Sequence, residues 1–312
     1  MQRTQQTQQI IQKFESARTR HLLKIQSTLL KSISDFMEEK GILQAMPVML
    51  APFTDPLNHE VSEAAIQYGS QTLRLTKSMI LHKFIMLMGK GVDAVFIVSP
   101  NVRLESEDCK DSGRHLIEFS QVDIEMKGKD KRAFMDLTEE LYVKMIAGLK
   151  HTCPDELAYF RRKLTTPTRP FKVYESKELL RKYGEGWEGI LSKASSEPFW
   201  VLDHTREFYD REDEKRRGYY HNYDLIYPEG FGEALSGGER EYVYDEVIRK
   251  MDERKMDREP YGAYLELVRQ GKIPRTSGGG FGVERLLRWV TGSSHIEEVT
   301  LFPRVPGKHI VI

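Results

Sequence analysis

Arg103, Glu105, Arg114, His115, Phe119, Gln121 and Asp123 sit close together in the stretch NVRLESEDCKDSGRHLIEFSQVDIEMK, residues 101–127 of a 312-residue chain. Val102 and Leu104 alternate with Arg103 and Glu105, and Val122, Ile124 and Met126 alternate with Phe119, Gln121, Asp123 and Glu125. A period of two is the mark of strands with one buried face. The charged EDCKDSGR between them, with Gly113, predicts a long hairpin loop. Pairing would put Arg103, Glu105, Phe119, Gln121, Asp123 and Glu125 on one sheet face, with Arg114 and His115 entering from the loop. Burying unpaired charge is costly, so such a face predicts a ligand with both anionic and cationic parts. A solvated sheet face is the alternative.

Two further stretches carry chemistry. In YDLIYPEGFGEALSGGER, residues 223–240, glycines surround Glu233 and precede Arg240. Glycines let a backbone approach a ligand, and the acids Asp224 and Glu233 suit Mg²⁺. SGGGFGVERLLRWVTG, residues 277–292, is a glycine-rich strand-to-helix junction from which Glu284, Arg285 and Arg288 enter the helix. It matches neither the Gly-Lys-Ser/Thr phosphate loop nor the dinucleotide fingerprint. Arg285 instead offers a fixed cation for a phosphate.

These residues need elements to hold them. Ile10, Ile11, Phe14, Leu22, Ile25, Leu29, Ile33, Phe36 and Met37 predict one long amphipathic helix over residues 7–39, closed by Gly41. The apolar ILQAMPVMLAPF that follows, broken by Pro47 and Pro52, predicts a strand at an edge or interface. Residues 54–70 are polar and irregular, a mobile loop near a site or a plain surface connection. Thr76 is a cap for a helix to Met88, whose apolar pattern puts Lys83 on the solvent face. Strands are expected at 94–98 and 198–202 and a helix at 131–150, while 151–195 gives only helical and turn signals.

Length allows a substantial core, and one domain over residues 1–312 is expected. Lys plus Arg equals Asp plus Glu at 47 each, so no overall basic field points to nucleic acid. Mean hydropathy is −0.52, and no apolar run approaches the roughly 20 residues of a membrane span. There is no signal-peptide pattern, so a cytoplasmic protein is expected. Cys109 and Cys153 make neither a disulfide framework nor a zinc site.

Taken together, the segments resemble class II aminoacyl-tRNA synthetases of the aspartyl/asparaginyl branch. NVRLESEDCKDSGRHLIEF resembles the second signature motif, GGGFGVERL the third, GILQAMPVMLAP a degenerate first motif, and DLIYPEGFGEALSGGER the branch-specific acid and arginine segment. The resemblance implies an α+β fold with an antiparallel sheet of about six strands flanked by helices, and a homodimer through the first motif. It implies that Arg103 grips the α-phosphate and reacting carboxylate, Glu105 contacts adenine, Phe119 stacks beneath it and Arg285 above, and Arg114 and His115 meet the terminal phosphates. Asp224 and Glu233 would hold Mg²⁺ on ATP. Ser78, Lys83, Gln121, Asp123 and Arg240 would bind the amino acid, and two cations, Lys83 and Arg240, favour aspartate over asparagine. Ile80 departs from the glutamine that aspartyl enzymes carry at that position.

Too few residues precede this core for the anticodon-reading barrel of such synthetases. The chain therefore resembles free-standing archaeal paralogues of asparaginyl-tRNA synthetase, and the resemblance implies synthesis of asparagine from L-aspartate, ATP and ammonia through a β-aspartyl-adenylate. Residue 2 is Gln, not a glutaminase cysteine, so free ammonia is the implied donor and tRNA an unlikely partner. The rival readings are a stand-alone core that aminoacylates a tRNA or a protein, with RRK at 161–163 or EKRRG at 214–218 as an approach surface, and a non-catalytic regulatory paralogue.

Overall fold

Apolar side chains spaced three and four apart build the helices that cover one face of the sheet. The computed structural model describes residues 2–205 and 207–312, with side chains from residue 6 onward. The expected first helix is two, α1 (Gln2–Glu15) and α2 (Ala17–Glu39). Ser16 separates them, in an extended conformation, with its hydroxyl accepting from the Arg18 N–H. Serine favours such a cap over a helix interior.

Next come β1 (Leu43–Gln44), β2 (Leu50–Ala51), β3 (Ala65–Tyr68), β4 (Gln71–Leu75), α3 (Ile80–Met86), β5 (Ala94–Val102) and β6 (Glu118–Lys127). They are followed by α4 (Lys131–Thr152), α5 (Pro154–Tyr159), β7 (Lys172–Glu175), α6 (Ser176–Tyr183), α7 (Trp187–Ala194), β8 (Phe199–Leu202), β9 (Asn222–Tyr227) and β10 (Gly232–Glu239). The last are α8 (Tyr244–Glu253), α9 (Gly262–Arg269), β11 (Thr276–Gly282) and α10 (Val283–Thr291). Among the described residues, no helix is long and apolar enough to cross a membrane.

The main sheet has eight strands in the order β1-β5-β6-β11-β10-β9-β8-β7, two more than the expected six. The outer pairs β1·β5 and β7·β8 are parallel and the other pairs antiparallel. The expected strands at 94–98 and near Arg103 are one continuous strand, β5. Pro100 is tolerated because β1 pairs only with Val95 and Phe96, leaving the outer edge at Pro100 without a ladder partner. Arg103 lies just past the end of β5, and its N–H still donates to Ile117 O at 2.8 Å. A second sheet, β2-β4-β3, takes up residues 65–70 of the stretch read as irregular.

The core lies between the sheet and α2, α4 and α10. Ile25, Leu29, Ile33, Phe134, Leu141, Met145, Trp200, Tyr223, Phe281, Leu286 and Trp289 are all buried there. On the other face, α3, α8 and α9 enclose a second cluster including Leu81, Phe84, Val247, Met251 and Tyr264. Thr76 does not cap α3; its hydroxyl donates to Val48 O at 2.7 Å. Lys83 is fully buried rather than solvated, because carboxylates on β6 receive it.

The N-terminal helices also dock on the far end of the chain. Lys13 Nζ donates to Thr300 O and Leu301 O at 2.8 and 2.7 Å, and Arg18 pairs with Glu298 at 3.1 Å. That C-terminal segment holds the loop after β5: Ile296 N–H donates to Gly113 O at 2.9 Å, and Ile117 N–H to Arg304 O at 2.7 Å.

Leu29→Ala removes a side chain only 1% exposed and should cost about 3 kcal/mol in urea unfolding. Leu23→Ala, on the 37% exposed side of the same helix, should cost under about 0.5 kcal/mol.

Candidate active site

Because β6 alternates, Phe119, Gln121, Asp123 and Glu125 share one face. That face is passable only because β11 opposite is glycine. Gln121, Asp123 and Glu125 pair in register with Gly282, Gly280 and Gly278. A Cβ at Gly278 would collide with the Glu125 carboxylate, and one at Gly280 with the Gln121 amide. Bare backbone there opens a cleft of about 370 Å³.

The cleft brings together Ser78, Lys83, Arg103, Glu105, Arg114, His115, Phe119, Gln121, Asp123, Glu233, Arg240 and Arg285. Asp224 does not line it. Its buried carboxylate faces the His204 ring at 3.3 Å, so the pairing of Asp224 with Glu233 is not realised at the cleft wall.

At the deep end, Lys83 Nζ lies 2.9 Å from Asp123 Oδ1 and 3.4 Å from Glu125 Oε2. Arg240 reaches Glu125 through Nε at 3.2 Å, Asp210 through Nη1 at 3.0 Å, and Gly278 O through Nη2 at 2.8 Å. The two cations are therefore neutralised by protein carboxylates, and the electrostatic preference they gave aspartate disappears. Asp123 lines the cleft, and its Oδ2 is buried with no hydrogen-bond partner among the described residues. A buried carboxylate oxygen in that state is matched by a cationic donor such as an amino acid's ammonium group. Ser78 Oγ and Tyr209 O–H both donate to Asp55, at 2.7 and 3.0 Å, forming the side wall.

At the open end, the Arg103 guanidinium lies over the Phe119 ring, 5.1 Å from its centroid, and its Nε donates to Lys77 O at 3.0 Å. Arg285 Nη1 meets Glu233 Oε1 at 3.0 Å. Glu105 accepts from His59 at 3.1 Å. Burial raises the Glu105 carboxyl, but the His59 hydrogen bond and the neighbouring cations more than reverse this, leaving it below its usual range. Burial, then the charges of Arg285 and Arg114, lower the His115 imidazole to about 4, so it faces a ligand uncharged at neutral pH.

Among the described residues, no three His, Cys, Asp or Glu side chains gather as a metal cage. Mg²⁺ needs no such cage: it takes one or two carboxylates and completes its shell with substrate phosphates and water. Glu233, on the cleft wall with Ser236 three residues further along β10 past a bulge, fits that mode.

Several of these residues escaped the sequence reading. Glu125 lay on the predicted face, yet its part as common partner of Lys83 and Arg240 depends on α3 and β10 folding against β6. Asp210 sits in an irregular segment joined to Arg240 by an isolated β-bridge. Asp55 and His59 lay in the 54–70 stretch read either as a loop near a site or as a surface connection, and both line the cleft, while Ser236 had no distinctive pattern. Within the charge runs at 161–163 and 214–218, Arg162 pairs with Glu229, Arg216 with Asp213, and Arg217 with Glu212 and Glu246.

Comparison with known proteins bears on this site. Residues 1–306 match the family of class II tRNA synthetases (D, K and N). The asparagine–tRNA ligase of Thermococcus gammatolerans is 28% identical over 312 residues, 94% of this chain and 71% of that protein. The aspartate–tRNA(Asp/Asn) ligase of Methanopyrus kandleri is 31% identical over 303 residues, 91% of this chain and 67% of that protein. Among solved structures, asparaginyl-tRNA synthetase from Pyrococcus horikoshii complexed with asparaginyl-adenylate superposes with a TM-score of 0.86 at 27% identity, covering 95% of this chain and 71% of that one.

These relatives overturn the expectation of an ammonia-dependent asparagine synthesis, since they are ligases named for tRNA. They equally remove the expectation that tRNA is an unlikely partner. The ammonia reading rested on the short stretch ahead of the core, which carries no information about the nucleophile.

Glu284 gives the site a pH signature. Its two carboxylate oxygens accept from the Ser120 N–H at 3.0 Å, yet burial dominates and pushes the carboxyl up to about 7. The folded chain thus holds a proton that the unfolded chain has released between the ordinary value of 4.5 and about 7. This stabilising contribution is full below the lower value and lost as pH rises through the upper one. Glu284→Gln should therefore flatten the decline in urea-unfolding free energy between these limits. An equal decline in both proteins would count against a protonated Glu284.

Proposed function

The chain belongs to the class II tRNA synthetase family (D, K and N), and on that premise we propose that it is an ATP-dependent ligase that activates asparagine or aspartate as an aminoacyl-adenylate and transfers it to a tRNA. One observation carries the reading. A stacking and cationic surface, Phe119 with Arg103 and Arg285, adjoins a buried pocket whose Asp123 oxygen awaits a cation. The Pyrococcus horikoshii relative, solved with an adenylate, supports it.

In this reading adenine packs on Phe119 with Glu105 at its edge, and the amino acid's ammonium meets Asp123, with Gln121 and Ser78 beside it. Its α-carboxylate oxygen attacks the α-phosphorus in line; the bond to the bridging oxygen breaks and pyrophosphate leaves. Arg103 offsets the charge that builds on the α-phosphate, while Arg285, Arg114 and neutral His115 hold the departing phosphates. Fixed donors of this kind act by holding their geometry before the charge develops. Mg²⁺, when bound to ATP at Glu233, would add charge compensation on the phosphates. A hydroxyl of the tRNA end then attacks the carbonyl carbon, and AMP leaves.

We read the chain as a homodimer formed through the exposed apolar strip at the sheet edge. Leu43, Met46 and Leu50 flank Pro47 there and are 53%, 81% and 39% exposed, the kind of patch that marks an interface.

The test is ATP–pyrophosphate exchange with asparagine and with aspartate, followed by charging of the corresponding tRNAs. Exchange with one of them and aminoacylation of its tRNA are expected. Arg285→Ala should reduce exchange by at least about 100-fold. Wild-type protein inert in exchange with both amino acids would refute the proposal.

A further inference from the structure

The segment between β7 and β8 delivers one charge to the phosphate end of the cleft. Glu188, near the start of α7, pairs through Oε1 with Arg114 Nη1. The same oxygen lies 3.3 Å from the Glu233 backbone N–H, which donates to it. Gly232 makes this meeting possible. Its φ is +75°, and a Cβ there would press on both the Glu188 carboxylate and the Arg114 guanidinium. Helix α7 is itself fixed to the sheet: Ser192 Oγ donates to Tyr227 O at 2.6 Å and accepts from the Gly232 N–H at 3.2 Å. Arg114, by contrast, rides on a loop and keeps 37% of its side chain exposed.

We propose that Glu188 is a positioning residue for the triphosphate, holding the Arg114 guanidinium beside Gly232 and Glu233 before ATP arrives. Glu188 does not line the cleft, and Arg114 does. A guanidinium has five N–H donors, so the pair with Glu188 leaves others for phosphate oxygens. A long side chain already held in place loses little rotamer freedom when the ligand binds, whereas a free one loses much. The inference rests on the reading that this cleft binds ATP. The competing account makes the pair a structural tie between α7 and the loop.

Titration calorimetry with MgATP separates the two, using wild type, Glu188→Gln, Arg114→Ala and the double variant, with circular dichroism melts confirming that each folds. Glu188→Gln should weaken MgATP about tenfold, the loss of roughly one charge-assisted hydrogen bond, and should add nothing further in the Arg114→Ala background. In exchange kinetics, KM for ATP should rise while kcat and the amino acid's KM stay within about twofold, and Glu188→Asp should recover part of the loss. Unchanged MgATP affinity in Glu188→Gln overturns the proposal, as does an equal loss in the Arg114→Ala background. Wild type that binds MgATP but exchanges neither amino acid would refute the activation reading and leave Glu188 to be judged on affinity. Wild type that binds no MgATP would refute both.

Discussion

The buried contact between Glu125 and its two cations, Lys83 and Arg240, is the constraint on which the rest of the site depends. Glu125 is fully buried on β6, Lys83 comes from α3, and Arg240 from the end of β10. Thr276 at the start of β11 adds a hydrogen bond to Glu125 at 2.7 Å. Three separately formed elements are thus registered against one carboxylate. Removing a single partner from such a set strands a charge in the interior, at a cost of about 3–5 kcal/mol. The same demand explains the glycines of β11, since any side chain at Gly278 would occupy the space of the Glu125 carboxylate.

The two ends of the cleft differ in character. At the deep end, Lys83 and Arg240 are 0% and 3% exposed and locked between acids. At the open end, Arg114 and His59 are 37% and 46% exposed and lie on loops. A rigid, charge-balanced pocket suits discrimination between side chains that differ by one group. A looser rim suits a flexible polyphosphate that must enter and leave. Arg103, tied to Lys77 O and set over Phe119, stands where the two regimes meet.

Much of this was legible in the sequence wherever period and spacing were strong. The alternation of Phe119, Gln121, Asp123 and Glu125 identified one sheet face, of which Phe119, Gln121 and Asp123 line the cleft, and the glycine-rich run before Arg285 identified the strand-to-helix junction. The readings that failed needed tertiary information. Lys83 looked solvated because a lysine among apolar residues usually is, and the acids that bury it are some 40 residues distant on another element. Ser16 split a helix whose apolar spacing runs through it unbroken, because capping preference overrode amphipathic continuity. The residues 203–221, which supply Asp210, have no period at all, so nothing local could have announced them.

The docking of the N-terminal helices on the C-terminal turn bears on the order of assembly. Lys13 and the carbonyl of Thr300 are 287 positions apart, and that same turn braces the loop bearing Arg114 and His115 through Gly113. Contacts of such long sequence separation close late, because chain entropy must be surrendered before they give any return. The β5·β6 hairpin can form early, from neighbouring residues. Its loop is braced by the segment after α10, which the N-terminal helices hold in turn, so the placing of Arg114 and His115 depends on distant parts of the chain rather than on the hairpin alone.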